Sequence, residues 1–214
     1  MDRQTLAQIL KLLEGRYGKG LSTQLNHSNM TELFVAVLLS PQCSDSQVNN
    51  VTPALFKRFR TMQDYSDAGT RELMEYLKGI NYYRTKARNL KASAKMIVRN
   101  FNGKVPRSMN ELLTLRGVGR KVANVILSEG YGISEGIAID THCITVSHRL
   151  KLVRGRDPAR IERYLMKSLP RDRWRDASSL FIELGRDTCT ARRKRCDACV
   201  LNSICQSSDT RRAR

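Results

Sequence analysis

The chain has 214 residues, which is room for one compact domain or two small lobes and excludes a large multidomain protein. Hydrophobic residues make up 41% and charged residues 27% of the sequence. These fractions are those of soluble globular proteins and argue against disorder. The 38 Lys and Arg residues against 20 Asp and Glu residues give a net charge of +18, which is typical of proteins that bind polyanions. We therefore expect a nucleic-acid partner.

Sequence signals for a membrane or for export are missing. There is no apolar run of about 18 residues, no signal-peptide pattern and no lipidation motif. The sequence therefore predicts no membrane partner and a cytoplasmic, nucleoid-associated location.

Apolar residues recur at helical spacing through most of the chain, which predicts a mostly α-helical protein. The first helix is expected within residues 2–14. Thr31 is expected to cap a second helix that ends at Pro41. Ser44 and Gln47 have the spacing of a capping box, which predicts the start of a third helix. Further helices are predicted near residues 48–60, 69–78, 84–101, 109–115, 120–129, 140–150, 157–168 and 173–184.

Residues 84–107 carry eight basic residues and no acidic one. Four of the basic residues recur at helical spacing and are expected to share the outward face of one helix: Arg84, Arg88, Lys91 and Lys95. The absence of compensating acids favours contact with nucleic-acid phosphates. The alternative is an ordinary solvated helix face.

Two glycines, Gly117 and Gly119, interrupt a helical pattern. Ser108 and Glu111 predict a capping box at the start of the helix before them, and apolar spacing predicts another helix after them. A two-glycine hairpin at the start of a helix exposes backbone N–H groups beside the positive end of the helix dipole, which suits a phosphate. The alternative, a dinucleotide-binding loop, fits poorly because a helix rather than a strand precedes the glycines.

Four of the six cysteines lie close together near the C-terminus: Cys189, Cys196, Cys199 and Cys205. Without a secretory signal, such a group favours a metal or cluster site over disulfides. A structural zinc site usually has two Cys-x-x-Cys pairs, and this sequence has one. Four thiolates also suit an iron–sulfur cluster, so the spacing leaves both sites open. Cys43 and Cys143 stand alone and are expected to be small buried thiols.

Four segments of the sequence form a pattern together. They are the hairpin Leu115-Arg-Gly-Val-Gly-Arg-Lys-Val-Ala-Asn, the element Ile139-Asp-Thr-His, the loop Leu38-Leu-Ser-Pro-Gln, and the spacing Cys189-x6-Cys196-x2-Cys199-x5-Cys205. With these segments the chain resembles the endonuclease III family over nearly its full length. The resemblance implies an all-α, two-lobed helix-hairpin-helix DNA glycosylase fold. Its six-helix barrel domain would span residues 22–133, with the helix-hairpin-helix near 108–128, and residues 1–21 with 134–214 would form an iron–sulfur domain.

The resemblance also implies an activity, that of a bifunctional DNA glycosylase and AP lyase in base excision repair. Such an enzyme excises oxidised or damaged pyrimidines from duplex DNA and cuts the strand on the 3′ side by β-elimination. Lys121 would form the imine intermediate, and the Asp140 carboxylate would stabilise positive charge on the sugar. From the residues alone, Lys121 could instead be a phosphate contact and Asp140 a helix cap. The four C-terminal cysteines would hold a [4Fe–4S] cluster.

A set of DNA contacts is implied in the same way. Gln42 matches the residue that fills the space left by a flipped nucleotide, and Tyr82 stands where the family commonly has a second wedge, a leucine. The other expected DNA contacts are Arg84, Gly117, Gly119, Arg120, Arg192, Arg193 and Lys194. The expected partner is double-stranded DNA with damaged pyrimidines or abasic sites, bound by a monomer.

Two alternative functions remain at this point. A monofunctional mismatch glycosylase of the same superfamily would generally lack the lysine at position 121. A non-catalytic DNA-binding module would need neither Asp140 nor the wedge loop.

Overall fold

The computed structural model describes residues 1–210, and within that range its regular elements are helices, with no β-strand. The helices are α1 (Arg3–Tyr17), α2 (Met30–Leu39), α3 (Asp45–Arg58), α4 (Met62–Asp67), α5 (Thr70–Tyr76), α6 (Tyr83–Phe101), α7 (Met109–Thr114), α8 (Arg120–Val125), α9 (Thr141–Arg149), α10 (Pro158–Ser168) and α11 (Trp174–Asp187). A π-helical turn, Ile126–Gly130, continues α8, and a 3-10 turn, Arg171–Arg173, precedes α11. The all-α prediction is confirmed. No described helix is both long and apolar enough to span a bilayer.

Side-chain caps determine where several helices begin. Ser44 and Gln47 form the predicted capping box of α3: the Gln47 N–H donates to Ser44 Oγ at 3.2 Å, and the Ser44 N–H donates to Gln47 Oε1 at 2.9 Å. The prediction that Thr31 caps α2 is wrong. Asn29 caps this helix, because its Oδ1 accepts the Glu32 N–H at 3.0 Å, and asparagine is a stronger cap than threonine.

The helix predicted near residues 69–78 is α5, and a further short helix, α4, precedes it. A capping box between Thr61 and Asp64 starts α4, which the pattern did not predict. Ala68 then leaves the helical conformation, with ψ at 144°, so the chain breaks before α5. Both short helices pack against α6. A six-residue helix such as α4 is too short to show a clear apolar period in the sequence.

The chain divides into two compact units. The first is made of Met1–Ser22 and the chain from Ser134 onward, and the second is Thr23–Ile133. The core of the first unit comes mainly from α1, α9, α10 and α11, and that of the second unit from the helices α2 to α8. The assignment of residues 22–133 as a barrel domain, and of the remainder as an iron–sulfur domain, remains a prediction.

Helix α2 lies in the middle of the second unit's core. Every residue from Leu33 to Leu39 is buried, as expected of a helix that is apolar on all sides. Because α2 is packed on all sides, the start of the loop that follows it is held in place. This loop carries Gln42.

Candidate nucleic-acid interface and active site

A tight hairpin joins α7 to α8, in the segment predicted as helix-hairpin-helix. Ser108 caps α7: its Oγ accepts the Glu111 N–H at 3.3 Å and donates to Glu111 Oε2 at 2.7 Å. Leu115 and Val118 are buried, and the Val118 N–H donates to the Leu115 carbonyl at 3.2 Å. Two buried side chains thus anchor the turn on both sides of the glycine between them.

Helix α6 supports this hairpin from within the same unit. Ser93 Oγ donates to the Arg116 carbonyl at 2.8 Å. Gly117 has φ at +83°, and a Cβ at this position would lie 2.9 Å from Asn89 Nδ2. Both the backbone conformation and the close approach of α6 therefore require glycine here.

The first turn of α8 carries the lysine that the sequence singled out. The helix begins at Arg120, directly after Gly119, and no side chain caps it. A Cβ at Gly119 would have no atom within 4 Å, so the space in front of this turn is open. Lys121 is half-buried and Arg120 is exposed. The uncapped first turn presents backbone N–H groups, the arrangement that suits a phosphate oxygen.

Replacing each of the two hairpin glycines with alanine is expected to change the stability of the protein by different amounts. Gly117→Ala is expected to lower the free energy of unfolding by about 1–2 kcal/mol, because an L side chain is disfavoured at positive φ. Gly119→Ala, the matched control, is expected to change it by less than about 0.5 kcal/mol, since Gly119 has φ at −98° and open space around it. Urea unfolding of both variants measures the difference, and equal destabilisation would contradict this account of the turn.

Gln42 and Tyr82, the two predicted wedge residues, lie on loops that contact each other. Both have left-handed backbones, with φ at 60° for Gln42 and 57° for Tyr82. Asn81 Nδ2 donates to the Gln42 carbonyl at 2.7 Å and joins the loops. The Tyr82 side chain is 65% exposed, although a large aromatic side chain is usually covered. The structure thus presents both residues at the surface of the second unit.

The predicted basic face of α6 is only partly directed at solvent. Arg84, Arg88 and Lys95 are exposed, as predicted. Lys91 is half-buried, and its Nζ donates to the Ala68 carbonyl, so the prediction of a four-residue outward face is wrong at this position. The amine of Lys91 satisfies a carbonyl left without an intrahelical partner near the end of α4. Three cations of the four remain as candidate phosphate contacts.

Asp140 is the N-cap of α9. Its Oδ1 accepts the Cys143 N–H at 2.8 Å, and its side chain is half-buried. The helix-cap role that the sequence offered for this residue is therefore present. One oxygen of the carboxylate is held by the helix, which fixes the orientation of the charged group. The catalytic role of Asp140 remains a prediction.

The four C-terminal cysteines line one cavity in the first unit. Burial raises the pKa of the Cys199 and Cys205 thiols, and the charges of the neighbouring cysteines act in the same direction. A cationic centre bound among them would relieve this mutual repulsion. Among residues 1–210, no three His, Cys, Asp or Glu side chains have the arrangement that holds a single metal ion. The donor set and the shared cavity fit a thiolate-bound cluster.

Arg149, the last residue of α9, binds the first of these cysteines. Its Nη1 lies 3.2 Å from Cys189 Sγ and donates to the carbonyls of Cys189 at 3.0 Å and Thr190 at 2.7 Å. These contacts fix the Cys189 side chain together with the backbone that follows it. Sequence reasoning missed this residue, because a contact between residues 40 positions apart leaves no local signal. One helix thus begins at Asp140 and ends at a contact with the cysteine cavity.

The basic residues between the first two cysteines differ in their surroundings. Lys194 Nζ donates to the Ser207 carbonyl at 2.8 Å and pairs with Asp209, so the charge of Lys194 is partly neutralised inside the unit. Arg192 and Arg193 are exposed. The two arginines are therefore better placed than Lys194 for the predicted phosphate contacts.

The double variant Arg192→Gln with Arg193→Gln is expected to weaken the salt dependence of DNA binding. If both arginines contact phosphates, the slope of log affinity against log salt concentration becomes shallower by about 1 to 2, since each contact contributes about 0.9. Lys11→Gln, at an exposed position of α1, is the control and should leave the slope unchanged. Fluorescence anisotropy at several salt concentrations measures these slopes. An unchanged slope in the double variant would mean that the arginines only add solubility.

Comparisons with known proteins agree with this geometry. The family described as HhH-GPD superfamily base excision DNA repair protein matches residues 35–171. Endonuclease III from Synechocystis sp. is 40% identical over 206 residues, covering 96% of this chain and 94% of that protein. Endonuclease III from Bacillus subtilis is 42% identical over 189 residues, covering 88% of this chain and 86% of that protein.

Two solved structures match the whole chain. One is a trapped endonuclease III–DNA covalent intermediate, with a TM-score of 0.94, 37% identity and 100% of both chains covered. The other is a non-covalent endonuclease III–DNA complex, with a TM-score of 0.94, 36% identity and 100% of both chains covered. The resemblance noted in the sequence and the fold that it implied are confirmed. The chain belongs to the HhH-GPD superfamily of base excision DNA repair proteins and, within it, to the endonuclease III family.

Proposed function

We propose that this protein removes damaged pyrimidines from duplex DNA and then cuts the strand at the abasic site, with Lys121 and Asp140 as its catalytic residues. As an endonuclease III, it is a DNA glycosylase with AP lyase activity in base excision repair. The observation that carries the proposal is the hairpin between α7 and α8, which places Lys121 in an uncapped first turn. Damaged double-stranded DNA is the substrate.

Lys121 acts as the nucleophile. Its neutral amine attacks the anomeric carbon of the damaged nucleotide, the bond to the base breaks, and the base leaves with the electron pair. The nitrogen then forms a double bond to this carbon as the bond from the carbon to the ring oxygen breaks, the sugar ring opens, and the ring oxygen takes up a proton. The resulting imine withdraws electrons, so a proton is lost from C2′ and the bond to the 3′ phosphate breaks by β-elimination. Water then hydrolyses the imine and releases the enzyme. A residue that only contacted a phosphate could support binding but neither of these bond cleavages.

Asp140 supports the same chemistry by charge. Positive charge develops on the sugar as the glycosidic bond breaks, and a fixed carboxylate lowers the energy of that state. The hydrogen bond from the Cys143 N–H at 2.8 Å holds the carboxylate in one orientation before the substrate arrives. Preorganised charge of this kind costs no reorganisation during the reaction.

Gln42 and Tyr82 fill the space that the flipped nucleotide leaves. A base inside a duplex is inaccessible to an enzyme, and its extrusion costs a few kcal/mol of stacking and pairing. Tyr82 can recover part of this cost by stacking on the unpaired base opposite the lesion. The hydrogen bond from Asn81 to the Gln42 carbonyl holds the two loops together, so that both side chains can insert into the duplex.

The four C-terminal cysteines hold a [4Fe–4S] cluster in this proposal. When bound, the cluster would tie the last turns of the chain together through four thiolates, and no step of base removal depends on it. A rigid loop between Cys189 and Cys196 would then hold Arg192 and Arg193 toward a phosphate strand. Iron and sulfide analysis of the purified protein tests this site, and stoichiometric zinc without iron would contradict it.

The proposed activity is tested with a duplex that contains one oxidised pyrimidine, and an undamaged duplex of the same sequence is the control. The expected result is a covalent adduct on borohydride reduction, together with strand cleavage without alkali. Cleavage only after alkali would mean that the protein removes bases without a lyase step, as a monofunctional glycosylase does. Binding without base release or cleavage would indicate a DNA-binding module.

A further inference from the structure

An unusual contact of the second unit joins a nearly buried lysine to a free cysteine. Lys86, in the first turn of α6, is 7% exposed, and its Nζ lies 2.9 Å from Cys43 Sγ. A buried ammonium group is normally paired with a carboxylate. Among residues 1–210, the Lys86 amine has the Cys43 sulfur as its side-chain partner and no ion pair. No step of base excision uses this contact.

Cys43 also departs from the prediction made for it. The sequence predicted that both lone cysteines are small buried thiols. Cys143 fits that prediction, since it is fully buried and burial raises the pKa of its thiol. Cys43 is half-buried and has an amine against its sulfur. A partly exposed thiol that touches a nitrogen is open to chemistry that Cys143 is not.

The contact lies between the two loops that carry the wedge residues. Cys43 follows Gln42 directly, and Lys86 lies one helical turn after Tyr82, with its N–H donating to the Tyr82 carbonyl at 3.0 Å. Together with the bond from Asn81 to the Gln42 carbonyl, it is the second link between these loops. A covalent bond at this point would fix the Gln42 loop to the start of α6.

We infer that Cys43 and Lys86 form a reversible covalent cross-link when the protein is exposed to a peroxide. In the first step the thiolate form of Cys43 attacks the peroxide, the O–O bond breaks, and the sulfur is oxidised to a sulfenic acid, while the departing hydroxide takes a proton from the Lys86 ammonium group and leaves as water. In the second step the Lys86 amine, which has given up that proton, attacks the same sulfur. A bond forms between sulfur and nitrogen, the S–O bond breaks, and the oxygen leaves as water with a proton from the amine.

Thiol reductants reverse the cross-link. A thiolate attacks the Cys43 sulfur, the S–N bond breaks, and Lys86 regains its amine. A second thiol completes the exchange, leaving Cys43 reduced and the two reductant thiols joined as a disulfide. The link therefore acts as a switch on the Gln42 loop rather than as permanent damage.

The cross-link slows base removal by restraining the Gln42 loop. This consequence rests on the proposed function, because it assumes that Gln42 must move into the duplex. The formation of the S–N bond does not depend on that assumption. The mass of the joined peptide therefore tests the formation of the S–N bond, and the enzymatic activity separately tests the restraint on the Gln42 loop.

Peptide mapping of the full-length protein after treatment with hydrogen peroxide tests the bond itself. Trypsin is expected to release residues 20–57 joined to residues 85–88, lighter than the two free peptides together by two hydrogen atoms. The joined peptide should disappear after dithiothreitol, and it should be absent from Cys43→Ser and from Lys86→Arg, whose guanidinium keeps the charge. Lys95→Arg, at an exposed lysine of the same helix, is the control and should retain it.

Several outcomes would overturn the inference. Cys43 recovered as a sulfinic acid, with trypsin cutting normally after Lys86, would exclude the cross-link. A joined peptide heavier by one oxygen atom would overturn the condensation step. Far-UV circular dichroism of each variant checks that a missing peptide does not result from misfolding.

Activity on the oxidised-pyrimidine duplex tests the restraint. Treated wild type is expected to lose activity several-fold and to regain it with dithiothreitol, whereas Cys43→Ser should show no reversible loss relative to its own untreated sample. A joined peptide with unchanged activity would overturn the restraint on Gln42 and leave the cross-link standing. Absence of activity in untreated wild type would instead be a failure of the proposed function.

Discussion

Lys121→Ala is expected to abolish the adduct trapped by borohydride and to slow release of the damaged base by at least about a thousandfold, the order of loss seen when a covalent nucleophile is removed. The physical reason is that no other group on α8 can form an imine. Binding of the damaged duplex should fall much less, because the hairpin backbone and the exposed arginines remain. Single-turnover kinetics and anisotropy on the same duplex measure the two effects separately.

Lys57→Ala is the matched control for this variant. Lys57 is a lysine of the same unit, exposed on α3, and its loss should leave both adduct formation and base release close to wild type. If Lys121→Ala still forms the adduct, another amine is the nucleophile and the assignment is wrong. If Lys121→Ala changes only the affinity for DNA, the residue is a phosphate contact, which is the role that its sequence context alone allowed.

Many helix starts and turns could be predicted from the sequence, because they depend on interactions between residues that are close together along the chain. The capping box of Ser44 and Gln47 involves residues three positions apart, and the structure forms both of its hydrogen bonds. The turn at Gly117 requires positive φ, which a glycine between two apolar helical segments signals directly. The apolar periods of α6 and α11 were long enough to place both helices within a few residues of their ends.

Long-range contacts were not predictable from the same patterns. Spacing placed Lys91 on an outward face of α6, but its amine binds the carbonyl of Ala68, 23 positions earlier. Nothing near Arg149 in the sequence indicates a bond to Cys189. The contact between Cys43 and Lys86 spans 43 positions. In each case the partner is brought into place by tertiary packing, and a single sequence carries no signal for it.

Both candidate catalytic residues could be identified from short segments of the sequence. A motif spanning residues 115–124 identified Lys121, and a four-residue element identified Asp140, because resemblance to a family compares short segments. The second contribution of Asp140, its hydrogen bond to the Cys143 N–H, followed from cap chemistry alone. Asp140 therefore has two roles, one structural and one proposed for catalysis, and a substitution must separate them.

Asp140→Asn separates the two roles because asparagine caps a helix about as well as aspartate does. We expect this variant to retain the stability of the wild type within about 0.5 kcal/mol. Base release should nevertheless slow by about a hundred- to a thousandfold, since the fixed negative charge opposite the developing positive charge is gone. Urea unfolding and single-turnover base release measure the two quantities.

Asp157→Asn is the control for the asparagine substitution. Asp157 caps α10 in the same unit, where its Oδ1 accepts the Ala159 N–H at 3.1 Å, and the variant should change neither stability nor activity. Asp140→Ala should lose activity and also about 1 kcal/mol of stability, because it removes the cap together with the charge. If Asp140→Asn retains full activity while Asp140→Ala loses stability, the residue is a helix cap and the catalytic carboxylate must be sought elsewhere.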